Sequence, residues 1–168
     1  MQVGEKRSRV PAIAAALCAA ALLAVAPGAS GATQAELSAQ HDLLVTVNKA
    51  RTARHLGPLR LSKVLSAPAR RHSAYLARTG KLDHNGADGR PFYVRLYAAG
   101  FSRRKAVGEN LGMSGGCSTD LSPEMIRMWL DSPAHRANLL SRTYRVVGIA
   151  VVAAPDCSNT VYTTDFGG

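Results

Sequence analysis

The feature that most constrains this chain is its N-terminal segment. Its charged and apolar residues follow the order that is typical of a segment cleaved from the mature protein. Three positive charges near the start, Lys6, Arg7 and Arg9, precede an apolar stretch without any charge over residues 10–26. A basic start and an uncharged apolar run are typical of a secretory signal peptide. A permanent membrane anchor is the alternative, but ~17 residues, most of them alanine, is near the lower limit for crossing a bilayer.

The end of this stretch indicates where the folded part begins. A proline-glycine pair at 27–28 breaks the apolar run, and small residues follow it. Signal peptidases cut after small side chains, so we predict cleavage between Ala29 and Thr33. The chain then divides into a signal peptide, 1–32, and a domain, 33–168, whose length of about 136 residues is enough for one hydrophobic core. We therefore expect a secreted, extracellular protein.

The predicted domain is strongly basic. The whole chain carries a formal net charge of +10, and removing three basic residues and one acidic residue with the signal peptide leaves +8. Such a surface favours anionic surroundings such as cell-wall polymers or lipid headgroups. The basic residues are scattered and not interleaved with aromatic side chains, so we predict no specific nucleic-acid motif, and a solvated surface is the competing interpretation. We expect a monomer without a membrane span after cleavage.

Cysteine usage agrees with export. Cys18 lies in the predicted signal peptide, which leaves Cys117 and Cys157 for the domain. Two cysteines in an exported protein most often form a disulfide, so we predict that Cys117 and Cys157 are joined. A thiol nucleophile is excluded if both are oxidised together.

Hydrophobic periodicity predicts helices first and strands last. The second helix starts at Ser62 or Ser66, and Pro68 favours the later start because proline is tolerated only in a first turn. Residues 106–113 form a short strand or an extended loop. Helices around a small sheet indicate a mixed α+β fold. The other predicted elements are helices over 33–56 (capped by Thr33, with Leu37 on its apolar side), after Pro91, after Ser122 as N-cap and after Ser132, and strands over 146–152 and 160–166.

Three residues stand out as candidates for chemistry: His84, Glu109 and His135. Both histidines lie at element edges among small residues, where a side chain can project into a cleft. Glu109 lies among apolar residues and needs a partner there, because an unpaired buried charge is costly. The trio is consistent with a Zn²⁺ site, with acid–base chemistry, or with a polar cluster that only holds loops together. His72, on the apolar side of the second helix, is expected to be structural.

A series of short motifs runs along nearly the whole domain, from His41 to Phe166. In this order the motifs resemble the CAP superfamily, the cysteine-rich secretory, antigen-five and pathogenesis-related proteins, and in particular its short exported bacterial members. The most specific motif is the segment from Trp129 to Leu140. The others are Asn48-x-x-Arg51, Leu56-Gly57-Pro58-Leu59, Ala69-x-x-His72-Ser73, His84, Gly108-Glu109-Asn110-Leu111, Val147-Gly148-Ile149-Ala150 and Tyr162 to Gly167.

The resemblance implies a three-layer α-β-α sandwich with a small, mostly antiparallel sheet. It also implies a cleft lined by two histidines and two acidic residues, and it places His84, Glu109 and His135 on three of those positions. The family's second glutamate falls where this chain has Asp131, and Glu124 lies one helical turn earlier. Either of these acids could substitute, and we favour a trio without a fourth member.

Family resemblance leaves two functions open. In the first, the cleft of a secreted binding protein takes Zn²⁺ or another divalent cation, a small apolar ligand or a wall-derived ligand. In the second, the protein is a metal-assisted extracellular hydrolase that acts on peptide or nucleic acid. Because only one carboxylate matches beside the two histidines, and no other catalytic motif is found, we favour the binding protein.

Overall fold

The structure is a computed structural model that describes Met1 and residues 32–168. The predicted signal peptide falls almost entirely on residues 2–31 and so lies outside the described residues. Export and cleavage therefore stay predictions. Among the described residues, no helix combines the length and the hydrophobicity that a membrane crossing requires.

Nine elements make up the described part of the domain, with helices on both sides of one sheet. The helices are α1 (Gln34–Thr52), α2 (Lys63–Thr79), α3 (Phe92–Ala98), α4 (Ser122–Asp131) and α5 (Pro133–Leu139). The strands are β1 (Arg60–Leu61), β2 (Val107–Gly115), β3 (Val146–Ala153) and β4 (Asn159–Gly167).

The sheet has the strand order β1-β3-β4-β2. Only the short β1–β3 pair is parallel, and the β3–β4 and β4–β2 pairs are antiparallel. Helices α1, α4 and α5 cover one face, while α2 and α3 cover the other. The structure therefore confirms the α+β fold, the three layers and the mostly antiparallel sheet.

Strand β4 is buried on both faces, and its alternation decides which side chains reach which layer. Tyr162 and Phe166 belong to the main apolar core with Trp129 of α4, whose indole N–H donates to the Leu111 carbonyl at 2.9 Å. Successive strand residues point to opposite faces. Val161 accordingly packs in a separate cluster beside α2, and Asp165, four residues on, shares that face.

Helix α1 is capped as predicted but ends earlier. Thr33 and Glu36 form a reciprocal capping box at its start. The helix stops at Thr52 rather than at residue 56, and His55 has a φ of 57° as the chain turns away. Leu37, expected on the buried side, is 45% exposed. The buried side is formed by Ala39, Leu43, Val47, Ala50 and Arg51.

Helix α2 corrects the prediction that Pro68 would delay its start. Ser62 caps the helix by accepting from the Leu65 N–H at 3.4 Å, and Pro68 lies inside it. The proline removes the hydrogen bond to the Val64 carbonyl and its ring crowds that carbonyl. Val64 lies on the exposed side of the helix, at 44% exposure. Meanwhile the Ser66 hydroxyl accepts from the Ile149 N–H at 3.1 Å, which holds this turn against β3. Tertiary contacts therefore outweigh the local penalty.

The last part of the chain follows the prediction with small differences. Residues 106–113 correspond to strand β2, so the strand interpretation is correct. Ser122 is the first residue of α4 and not its cap, which is Leu121. Cys117, just after β2, and Cys157, in the β3–β4 turn, are joined with a Cα–Cα distance of 4.7 Å. This confirms the predicted disulfide.

Candidate functional site

Glu109 is the centre of a polar cluster on the α2–α3 face of the sheet. Its side chain is fully buried. One carboxylate oxygen, Oε1, lies 2.7 Å from His84 Nδ1, and the other, Oε2, accepts from Arg95 Nη2. Arg95 Nη1 also donates to the His84 carbonyl at 2.8 Å. The loop after α2, helix α3 and strand β2 are thus tied together at one buried charge.

This arrangement decides which nitrogen of His84 faces the outside. A carboxylate paired with a guanidinium is ionised and can only accept hydrogen bonds, so His84 Nδ1 carries the proton that Glu109 accepts. The Nε2 atom then has a free lone pair. Because the His84 side chain is 52% exposed, this atom is available to a ligand.

His135 is held near this pair by the backbone of α5. Its carbonyl accepts from Asn110 Nδ2 at 3.0 Å. Asn138, one turn later, donates from Nδ2 to the Glu109 carbonyl and to Asn110 Oδ1, each at 3.0 Å. These amide bonds fix α5 against β2, and the partly exposed His135 ring lies within electrostatic reach of His84.

Burial lowers the pKa of both candidate histidines, which favours their neutral form. Burial, and then the positive charge of Arg95, lower the pKa of His84. Burial, and then the charge of His84, lower the pKa of His135. Neutral imidazoles are the form that accepts hydrogen bonds and ligates metals.

The two candidates for a fourth acidic residue lie elsewhere. Asp131, at the end of α4, lines a different cavity together with Arg127 and Arg136. Glu124 is exposed on the first turn of α4. Among the described residues, no three His, Cys, Asp or Glu side chains are arranged so that they could hold one metal ion. The metal site built from His84, Glu109 and His135 therefore stays a prediction.

Sequence reasoning missed two charged members of the cluster, Arg95 and Asp165. Asp165 lies directly across from Glu109 in the β2–β4 register and is fully buried. Neither of its carboxyl oxygens has a hydrogen-bond partner among the described residues. Burial raises the pKa of Asp165 to about 7, against the opposing effect of Arg95 and then His84. An acid within a strand of otherwise uncharged residues was the available signal for Asp165.

His72 is structural, as expected. It is buried, and its Nε2 lies 2.8 Å from the Asp83 carbonyl, immediately before His84 in the chain. Burial, more than any neighbouring charge, lowers the pKa of His72 to about 4. A neutral His72 that donates to this carbonyl supports the loop that carries His84.

Fold and sequence together define the class of protein. The family described as "CAP: Cysteine-rich secretory protein family" matches residues 44–166. The chain therefore belongs to the CAP family, whose members are typically extracellular. A search of curated protein sequences gave no match.

Solved structures with the same fold include bacterial proteins. An outer surface protein from Borrelia burgdorferi has a TM-score of 0.64 at 16% identity, over 77% of this chain and 92% of that one. An extracellular protein containing an SCP domain from Bacillus anthracis has a TM-score of 0.64 at 21% identity, over 82% of this chain. A cysteine-rich secretory protein from Staphylococcus aureus has a TM-score of 0.61 at 20% identity, over 81% of this chain. The chain spans only 44% and 40% of the last two proteins, respectively.

Proposed function

We propose that this protein is a secreted CAP-domain binding protein whose cleft takes its ligand at the imidazoles of His84 and His135. The observation that carries the proposal is the orientation of His84. Buried Glu109, itself paired with Arg95, holds Nδ1 and leaves Nε2 exposed. A side chain that is oriented by a buried carboxylate and open on its other side is pre-organised to bind.

The same contacts favour binding over hydrolysis. Both oxygens of Glu109 are engaged, one by His84 and one by Arg95. Asp165 is fully buried, and Asp131 lines another cavity. Activation of a water molecule needs a general base within hydrogen-bond reach. Among the described residues, the carboxylate that contacts His84 has no free oxygen for that role, so a metal-assisted hydrolase is the weaker candidate.

A divalent cation, with Zn²⁺ best suited to imidazole donors, is the ligand we expect first. The contacts support different roles for the three residues of the predicted trio. His84 Nε2 and the His135 ring are available as ligands, whereas Glu109 fits as the carboxylate that orients a ligating histidine. Two protein ligands leave coordination positions for a small wall-derived or apolar ligand that carries a polar group. The bound cation would act as a Lewis acid toward that group.

Calorimetric titration with Zn²⁺ of purified protein tests this assignment. We expect His84→Ala and His135→Ala each to weaken zinc binding by about tenfold or more, as for loss of a metal contact. His41→Ala is the matched control, because His41 is an exposed histidine on α1. Zinc affinity should also fall as the pH falls through the pKa values of the two imidazoles, which lie below the usual value.

The outcomes distinguish the two halves of the proposal. Zinc binding that is unchanged in His135→Ala would reject the metal site and leave a binder of uncharged ligands. Zinc-dependent hydrolysis of a peptide or nucleic-acid substrate, abolished in His84→Ala, would reverse the preference for binding over catalysis.

Export is the second part of the proposal. A basic start followed by an apolar run and small residues supports it, and a disulfide between Cys117 and Cys157 fits an oxidising compartment. Intact mass of protein recovered from culture medium should show cleavage between Ala29 and Thr33. Full-length protein confined to the membrane fraction would contradict export.

A further inference from the structure

A second concave site lies where the end of α1 meets the segment between α5 and β3. It shares no residue with the His84 cluster. The cavity has a volume of about 310 Å³. It is lined by Arg51, Leu56, Gly57, Pro58, Arg142, Tyr144 and Arg145.

Arg51 is the most deeply buried residue that lines this site, at 2% exposure. Its Nε donates to the Gly57 carbonyl at 3.0 Å, and its Nη1 donates to the carbonyls of Leu139 and Ser141 at 2.8 and 3.0 Å. Among the described residues, Nη2 has no hydrogen-bond partner and no carboxylate pairs with the guanidinium. A buried charge without a counter-charge is costly.

Two further guanidinium groups raise the positive potential around Arg51. Arg145 and Arg142 are exposed and line the same cavity. Arg145 Nη1 donates to the carbonyls of Arg142 and Tyr144, and its Nε and Nη2 atoms bond to no described residue. Burial, and then the charge of Arg145, lower the pKa of Arg51, although a guanidinium stays protonated near pH 7. The described residues that line the cavity include no acidic side chain.

We propose that this cavity binds a phosphate or phosphodiester group, with Arg51 as its buried cation and Arg142 and Arg145 at its mouth. Guanidinium groups present several N–H donors in a planar fork that matches the oxygens of such an anion. A cavity of about 310 Å³ is at the lower end of the range for small-molecule sites and suits one such group. The anion supplies the counter-charge that the protein itself does not provide. This site is independent of the function proposed for the cleft.

Titration with inorganic phosphate, followed by NMR at constant ionic strength, tests this site. We expect a saturable shift of the Arg51 Nε–H resonance, since the phosphate would bind the Nη2 atom of the same guanidinium. The double variant Arg142→Ala/Arg145→Ala should bind phosphate about tenfold or more weakly. The matched control is Arg104→Ala/Lys105→Ala, which also removes two positive charges, but from the exposed loop after α3. Its phosphate affinity should stay within about twofold of the wild type, because screening weakens distant charges.

A parallel titration with the soluble phosphodiester glycerophosphoglycerol shows whether the site prefers a phosphodiester or the free phosphate ion. Tighter binding of the diester would indicate a polymer or headgroup, and tighter binding of inorganic phosphate would indicate the free ion. Binding of either that depends on Arg142 and Arg145 supports the site. Absence of saturable binding of both, or equal weakening in the control variant, would overturn it. Unchanged far-UV circular dichroism of both variants excludes unfolding as the cause.

Discussion

The two faces of the sheet are formed by the same strands but differ in the side chains that they bury. On the face toward α1 and α4, Tyr162 and Phe166 pack with Trp129 in a continuous apolar core. On the face toward α2 and α3, the intervening residues of β4 include Asp165, which lies across from Glu109. One face gains stability from burial, while the other gives up part of it to hold the buried acidic residues Glu109 and Asp165. Substitutions on the two faces should therefore differ in size and in their dependence on pH.

The largest effect is expected on the apolar face. Trp129→Ala removes a side chain that is 1% exposed and an indole hydrogen bond to Leu111. Such a deletion lowers the free energy of unfolding by about 3–5 kcal/mol. Urea denaturation at fixed pH measures the change. The neighbouring Met128, 53% exposed, provides the control, because Met128→Ala should change stability by less than about 0.5 kcal/mol.

The second prediction concerns the pH dependence of the polar face. Because burial raises the pKa of Asp165 to about 7, the folded protein binds this proton more tightly than the unfolded chain does. The contribution of Asp165 to stability is present below about pH 4 and is lost as the pH rises to about 7, at most about 4 kcal/mol. Asp165→Asn should therefore be more stable than the wild type at pH 8.

The difference between wild type and Asp165→Asn isolates this group. His72 has the opposite dependence: its pKa is lowered to about 4, so its contribution is lost as the pH falls from about 6.5. The free energies of unfolding of the two proteins are measured as a function of pH and subtracted. The contribution of His72 cancels in the difference, since both proteins contain this residue. A difference between the curves that does not change from pH 4 to pH 8 would show that Asp165 titrates normally.

The smallest predicted effect is at a neutral pair on the polar face. Ser73 Oγ and Thr163 Oγ1 are 2.7 Å apart, and both residues are fully buried. Ser73→Ala leaves the Thr163 hydroxyl without this partner and should cost about 1–3 kcal/mol. Ser73→Ala/Thr163→Val removes both hydroxyls and should recover most of the loss. Failure of the double variant to recover would indicate that packing, and not the hydrogen bond, matters at this position.

Local sequence signals predicted much of the fold. Thr33 predicted the start of α1, which it caps, and Ser132 predicted the start of α5. Strand β3 was predicted from composition alone, because its residues form an apolar run that is rich in β-branched side chains. These signals act over a few residues, so a single chain read in order is enough to find them. The ordered motifs similarly predicted the family and the three candidate site residues.

The tertiary structure alone decided the partners of those residues. Arg95 reaches Glu109 because α3 packs beside β2, and Asp165 faces the same carboxylate because of the β2–β4 register. Neither relation follows from spacing, since a register shift by one residue would turn Asp165 to the apolar face. Helix α2 likewise includes Pro68 because Ser66 is bonded to β3. The sequence determined most of the segments that form helices and strands, whereas contacts between distant segments decided the pairing of the short β1 and the electrostatics of the site.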